Sequence, residues 1–319
     1  MRNPQSSHQS QPPHLAPTPR GRVLLTGARG FVGREVRRQL LEDGWEIVAL
    51  SRNLRSDEAA SGVIQVAADA ADEGWQRWCG GCCAAIHLVG IIAEDPGAGV
   101  TFDRAHRLAT ERVIAACREI GIRRLVHMSA LGARAGAATP YHRTKWQGEE
   151  AVRASRLDWT IFRPSLIFGP GDGFTGRLAP LIKRLPLFPV FGDGTYKMQP
   201  ISVTEVAHCF VAALDDPATT GQAYDLGGPE VLTYEEVVRR VARALGLHRT
   251  LVHVPLGLAR VIVSAIQHFP GTPITRDQLT MLLEGSTCDT AAAGLAFDIP
   301  RARFEGLTWL CSEESRVKS

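Results

Sequence analysis

Residues 22–33 read RVLLTGARGFVG, an apolar run that ends in three glycines at GxxGxxG spacing and passes at once into an amphipathic segment. Each glycine has its own task. Gly27 permits a tight turn after a strand, Gly30 lets backbone approach a pyrophosphate, and Gly33 allows the following helix to lie close on the strand. The N-terminus of that helix offers free N–H groups and the positive end of its dipole to phosphates. Three glycines mean little in a chain with 31 of them. Placed between a first strand and a first helix, they predict a dinucleotide-binding loop.

Outward from this loop the chain alternates short apolar runs with helical patterns. Strands are predicted at 22–27, 46–50, 63–69, 84–90, 123–130 and 158–164, with helices near 31–43, 103–120 and 142–155 between them. The strands are apolar on both faces, which predicts an α/β fold: a Rossmann-type, doubly wound parallel sheet. After residue 165 Gly- and Pro-rich connections take over, with helical stretches near 204–215, 233–245, 255–268 and 275–284. The expected organisation is an N-terminal tail (1–20), a dinucleotide-binding domain (21–168), a smaller mixed C-terminal lobe (169–310) whose segments near 195–230 return to the sheet, and a short tail (311–319).

The nucleotide is read at the end of the second strand, where an acid would accept hydrogen bonds from the adenosine ribose. Here IVALSRN places Ser51 and Arg52, with no acid before Asp57, and Arg29 stands inside the glycine loop. Two guanidiniums there suit a 2′-phosphate, because arginine binds phosphate through a bidentate fork. NADP(H) is therefore favoured over NAD(H). Asp69 closes VIQVAAD, where the adenine edge would lie.

The stretch TPYHRTKWQG (139–148) sets Tyr141 four residues ahead of Lys145. On a helix the two share a face directed at the carboxyl ends of the strands, where ligands bind in such folds. An ammonium beside a phenol favours phenolate and lowers the tyrosine pKa toward a value useful for moving a proton at a carbonyl. The same lysine is placed to hold a nicotinamide ribose.

Composition narrows the alternatives. A formal charge of +3 without long runs of like charge gives no nucleic-acid surface. No window approaches eighteen uninterrupted apolar residues. The best, VPLGLARVIVSAIQHF (254–269), is broken by Arg260, and its stripe of Leu256, Leu258, Val261, Ile262 and Ile266 is expected on the core, with a partner or a membrane surface as the other readings. The first twenty residues are rich in Pro, Ser and Gln and lack an apolar h-region, so a disordered tail is expected and a secretory signal is not. Seven scattered cysteines suit a reducing compartment. Cys79, Cys82 and Cys83 form a CxxC group that reads as loop cysteines beside a buried strand or as a redox pair; no second pair of ligands supports a metal site.

The motifs TGARGFVG, HLVG, YHRTK, FRPSLIFGPGD and YDLGGPEVLTYEE, in this order, resemble the extended short-chain dehydrogenase/reductase superfamily across about residues 22–300. More narrowly, LVHMSALGA, SRLDWTIFRPSLIFGPGDGF and TRDQLTML are similar to the atypical branch named for the nucleotide-binding accessory subunit of respiratory complex I and its bacterial relatives. The resemblance implies a cofactor cradle of Thr26, Gly27, Ala28, Arg29, Gly30, Phe31, Val32 and Gly33, and adenine contacts from Asp69 and Ala70. It also implies that Leu88, Val89 and Gly90 pass under the cofactor, that Lys145 grips the nicotinamide ribose, and that Pro164 to Ile167 flank the nicotinamide. His106 stands where the superfamily usually carries an asparagine.

The catalytic serine is the main departure. Aligned on the strand, Ser129 takes the first hydroxyl position and Leu131 the later, catalytic one; a shift of two residues restores Ser129 to it. An apolar group there supplies no hydrogen bond to a developing oxyanion, a loss worth ~3 kcal/mol of barrier. Three functions stay open: an NADP(H)-dependent oxidoreductase or epimerase acting on a carbonyl or alcohol, with Tyr141, Lys145 and Ser129 as catalytic residues; a non-turnover NADP(H)-binding accessory subunit of a respiratory-type complex; and a quinone-related, membrane-associated reductase with a lipophilic pocket under the second lobe. The expected location is cytoplasmic, or peripheral on the cytoplasmic face of the inner membrane.

Overall fold

The computed structural model describes residues 20–54, 60–267, 274–299 and 301–312. Residues 1–19 of the expected N-terminal tail, most of the C-terminal tail and Asp57 lie outside these residues. The first half runs β1 (Arg22–Thr26), α1 (Phe31–Glu42), β2 (Glu46–Ser51), β3 (Val63–Ala67), β4 (Cys82–His87), α2 (Ala109–Ile120), β5 (Arg124–Met128), α3 (Pro140–Arg153) and β6 (Asp158–Pro164). The second half adds β7 (Ile167–Phe168), α4 (Thr175–Arg184), β8 (Leu187–Phe191), β9 (Lys197–Met198), β10 (Ile201–Ser202), α5 (Val203–Asp215) and β11 (Gln222–Leu226). It continues with β12 (Leu232–Thr233), α6 (Tyr234–Ala244), β13 (Thr250–Val254), α7 (Leu256–Ile266), α8 (Arg276–Glu284) and α9 (Ala291–Phe297).

Seven strands form one parallel sheet in the order β11-β6-β5-β4-β1-β2-β3. Val23, Leu24 and Leu25 of β1 are fully buried, because both faces of the central strand are covered. One face carries α1, α5 and α9, whose Val36, Val206, Phe210 and Phe297 pack on Val23, Leu25 and Phe162. The other carries α2 and α3, with Val113, Ile114 and Val152 against Leu24, Leu125 and Ile161. A third cluster, built by Leu178, Ile182, Phe188, Val190, Val237 and Val241, forms the core of the second lobe.

Two features were not expected from periodicity. The pattern at 103–120 is not one α-helix: Asp103–Leu108 is a π-helical turn that passes into α2. Close approach of α3 accompanies it, since a Cβ on Gly148 would lie 2.8 Å from the His106 carbonyl oxygen. The apolar helix α7 is not a core helix either. It buries Ala259 and Val263, while Leu258 (54% exposed), Val261 (67%) and Ile262 (41%) face outward at i, i+3 and i+4.

Candidate active site

The strand order reverses direction between β1 and β4, and a crevice of about 690 Å³ opens there at the carboxyl ends of the strands. Gly27 turns at φ +71°, and a Cβ on Gly33 would sit 2.1 Å from the Gly27 carbonyl oxygen, so only glycine lets α1 approach this closely. α1 starts at Gly30 with no side-chain cap, whereas α3, α5, α6 and α8 are capped by Thr139, Ser202, Thr233 and Thr275. Its first N–H groups are thus left to an anion. Gly27, Arg29 and Gly30 line the crevice. Thr26, Ala28 and Val32 are buried behind the loop, and Phe31 packs half-buried on the core, so the side chains of these four support the cradle instead of lining it.

At the ends of β2 and β3, Ser51, Arg52, Asp69 and Ala70 line the crevice. Ser51 donates to the Asn53 carbonyl oxygen at 3.0 Å, and Arg29 Nη1 donates to the same oxygen at 2.8 Å, which brings the arginine of the glycine loop to the β2 turn. Asp69 accepts from the Ala71 N–H and faces Arg104 at 3.5 Å. Leu88, Val89 and Gly90 form the far wall. A dinucleotide fits this set: an uncapped helix end, a glycine cradle, and the guanidiniums of Arg29 and Arg52 beside the end of β2.

α3 begins earlier than its periodicity suggests. Thr139 accepts from the His142 N–H and Pro140 takes the first helical position, a start signal legible in the letters TP. Tyr141 therefore lies in the first turn and Lys145 one turn on. Lys145 is buried and donates from Nζ to the Met128 carbonyl oxygen at 2.8 Å. A Cβ on Gly90 would lie 3.0 Å from that Nζ, so the glycine keeps room for the amine beside the crevice. Burial pulls the lysine down to about 8, against the pull of Glu149, and pushes the Tyr141 phenol up to about 12. The expected lowering of the tyrosine by its lysine is absent here, because desolvation of a buried phenolate dominates.

Histidines that carried little weight in the sequence hold this corner together. The Ile91 N–H can only donate, so His106 Nε2 accepts it at 3.1 Å and the ring proton sits on Nδ1, 2.8 Å from Thr144 Oγ1. His106 thereby ties the 90–92 segment to α3, and its ring meets Tyr141 edge-on at 5.3 Å. Thr110 Oγ1 donates to the His106 carbonyl, so it accepts from His87 Nε2, whose Nδ1 in turn accepts from Thr26. Burial drives His87 to about 3 and His106 to about 2, and both are neutral.

Beyond Gly90 and Ile91, which border both spaces, lies a second chamber of about 520 Å³ under the second lobe. Leu166, Phe174, Leu178, Phe188, Met198 and Leu282 are among its apolar walls, and Pro164 and Ile167, expected to flank the nicotinamide, line this chamber and not the crevice. Tyr141, Lys145, Ser129 and Leu131 all reach it. Ser129 is 2% exposed and its Oγ has no hydrogen-bond partner among the described residues, while Leu131 is held by its N–H on the Pro164 carbonyl. Sequence reasoning missed most of the apolar walls, since they come from α4, β8 and α8, elements far apart in the chain. The CxxC group stands apart from this site. Cys79 and Cys82 are buried, and burial raises them to about 11 and about 12, which suits packing and not a reactive thiolate.

Known proteins share this architecture. NADH dehydrogenase (ubiquinone) 1 alpha subcomplex subunit 9 of Arabidopsis thaliana is 29% identical over 76% of this chain and 62% of its own length, so this chain spans about three fifths of that relative. Ceramide reductase of Caulobacter vibrioides is 30% identical over 81% of this chain and 82% of the reductase. 2-Alkyl-3-oxoalkanoate reductase of Stenotrophomonas maltophilia is 31% identical over 72% and 77%. Among solved structures, MoeE5 in complex with UDP-glucose and NAD superposes with a TM-score of 0.71 at 21% identity over 94% of this chain and all of that one. UDP-glucose 4-epimerase of Thermotoga maritima does so at 0.72 and 16% identity, over 93% and all of its chain. The profile of the NAD dependent epimerase/dehydratase family matches residues 23–227, and the chain belongs to that family, the extended short-chain dehydrogenases and reductases.

Proposed function

We propose that this protein is an NADP(H)-dependent reductase of a lipophilic carbonyl compound. The observation that carries the reading is the meeting, at Gly90 and Ile91, of a dinucleotide crevice with an apolar chamber that holds Tyr141, Lys145 and the unpartnered Ser129 hydroxyl. The names of two relatives, a ceramide reductase and a 2-alkyl-3-oxoalkanoate reductase, point to substrates with long alkyl chains, which suit such walls. Arg29 and Arg52 at the ribose end support NADP(H) over NAD(H).

When bound, the nicotinamide supplies the hydride. The chain supplies the rest. A phenol raised to about 12 keeps its proton at neutral pH, so Tyr141 is a donor, able to give that proton to the carbonyl oxygen as the alcohol forms. Ser129 Oγ donates a second hydrogen bond to that oxygen, and the Lys145 ammonium holds the ribose and stabilises the phenolate left behind. The apolar walls exclude water from the reacting carbonyl.

The test is oxidation of NADPH by long-chain 3-oxo compounds and lipophilic quinones, with Tyr141→Phe as control. Turnover by the wild type that falls at least a hundredfold in the variant supports the reading; undiminished turnover in Tyr141→Phe sinks the proton-donor role.

A second reading, a non-turnover NADP(H)-binding accessory subunit of a respiratory-type complex, draws on Leu131 in the chamber wall and on the similarity to the complex I subunit. NADPH retained unspent, in a protein that co-migrates with a large membrane complex, would favour it. Either reading suits a peripheral position at a membrane. Among the described residues no helix is long and apolar enough to cross one, but the outward stripe of α7 suits resting on its surface.

A further inference from the structure

The apolar chamber carries an unbalanced charge. No carboxylate is found among its described lining residues, and its basic side chains are His142, Lys145 and Arg177. Two of these are engaged. Lys145 is bonded to the Met128 carbonyl, and His142 rests on Thr139 at 3.2 Å and faces Glu284 at 3.8 Å. Arg177 is exposed on the first turn of α4, at the rim of the chamber, and its guanidinium makes no hydrogen bond or ion pair among the described residues.

The acid whose charge Arg177 feels is Asp172, and that carboxylate is already occupied. Asp172 Oδ1 accepts from the Phe174 and Thr175 N–H groups at 2.9 and 2.6 Å; Oδ2 accepts from the Gly169 N–H at 3.3 Å and the Thr175 hydroxyl at 2.5 Å. It shapes the turn into α4 and leaves the guanidinium to the chamber. The neutral polar groups Ser165, Ser286 and Gln278 are likewise satisfied, by the Ser165–Ser286 pair and by the Gln278 bond to the Ile92 carbonyl. A guanidinium at the rim of an apolar chamber, whose nearby acid is already taken up by other donors, attracts an anion through a fork suited to a carboxylate or phosphate.

We propose that Arg177 anchors an anionic group, a carboxylate or a phosphate ester, on an amphiphile whose alkyl chain fills the chamber. The proposal rests on the reductase reading only in assigning that amphiphile a carbonyl, which Tyr141 and Ser129 would meet. Anion capture itself needs no turnover. It names the substrate class more narrowly than apolar walls do: a chain with an acidic head is taken, and its neutral counterpart is poorly held.

Equilibrium binding of dodecanoate, dodecyl phosphate and dodecanol to the full chain tests this without knowledge of the substrate. The wild type is expected to bind at least one anion tenfold more tightly than the alcohol, with the preference shrinking as salt is added. The tighter of the two anions identifies the head group. Arg177→Leu and Arg177→Gln should bring the three ligands within about threefold of one another, and Arg177→Lys should keep part of the preference. Equal binding of all three by the wild type, binding of none, or an anion preference intact in a folded Arg177→Gln overturns the proposal. Anion preference without reduction of any carbonyl would leave Arg177 standing and remove the reductase. NADPH-dependent reduction of a neutral long-chain ketone, with no anion preference, would do the reverse.

Discussion

Lys145 Nζ lies 2.8 Å from the carbonyl oxygen of Met128, so the lysine of α3 is docked on the last residue of β5, at the edge of the crevice. The bond fixes where the amine waits before any ligand arrives. It also makes the lysine expensive, because a buried ammonium has given up water for one carbonyl.

That cost is measurable. The folded pKa of Lys145, about 8, is below its ordinary 10.5, so the unfolded chain holds the extra proton between these values and stability climbs with pH across that window. Lys145→Met should stabilise the dinucleotide-free protein by roughly 2 kcal/mol at pH 7, net of the lost hydrogen bond, with the gain fading toward pH 10.5. Its affinity for NADPH should fall. Denaturant titrations at pH 7 and pH 10 check the first claim, and a destabilised variant at pH 7 would refute it.

One turn after Lys145, Glu149 is fully buried and receives a two-pronged bond from Arg163 of β6, at 2.8 and 2.6 Å. Removing the carboxylate leaves the partly buried Arg163 guanidinium with a more distant acid, Asp225 at 3.7 Å, as its ion-pair partner. Glu149→Gln should cost about 3 kcal/mol and lower the lysine pKa further, since Glu149 is the charge that raises it. Thermal unfolding reads the first effect and the pH dependence of NADPH binding the second.

Arg52 is exposed at the end of β2 and lines the crevice. Arg52→Asp replaces a phosphate partner with an acceptor for ribose hydroxyls, and should shift the ratio of NADPH to NADH affinity toward NADH by about 10- to 100-fold. An unchanged ratio would place 2′-phosphate recognition elsewhere.

Of the two candidate positions, Ser129 is the one with a hydroxyl, and among the described residues that hydroxyl has no partner. Ser129→Ala should lower kcat about a hundredfold with KM little changed. Leu131→Ala should instead raise KM for long-chain substrates and leave kcat within about threefold. The opposite pattern would assign the catalytic register to residue 131.

The outward face of α7 pairs Leu258, Val261 and Ile262 with exposed Arg260. Binding to vesicles containing anionic phospholipid is expected in sedimentation assays, and Val261→Glu with Ile262→Glu should reduce it at least tenfold. Vesicle binding unchanged in that double variant would discount α7 as the contact.

Local patterns sufficed wherever a short segment carries its own physics. The strand, the three glycines and the uncapped helix start lie within RVLLTGARGFVG, and a parallel sheet follows from strands apolar on both faces. Tyr141 and Lys145 were legible for the same reason, being one turn apart on one helix. What the letters left open depends on residues distant in the chain. Burial, which no spacing records, raised the Tyr141 phenol and turned Lys145 toward Met128. The chamber exists because α4, β8 and α8 close over the end of β5 and β6, so its apolar walls and the guanidinium of Arg177 at its rim have no local signature. Periodicity gave α7 an apolar stripe, but only packing decided that it faces outward, since one helix can show an apolar stripe to a core or away from it.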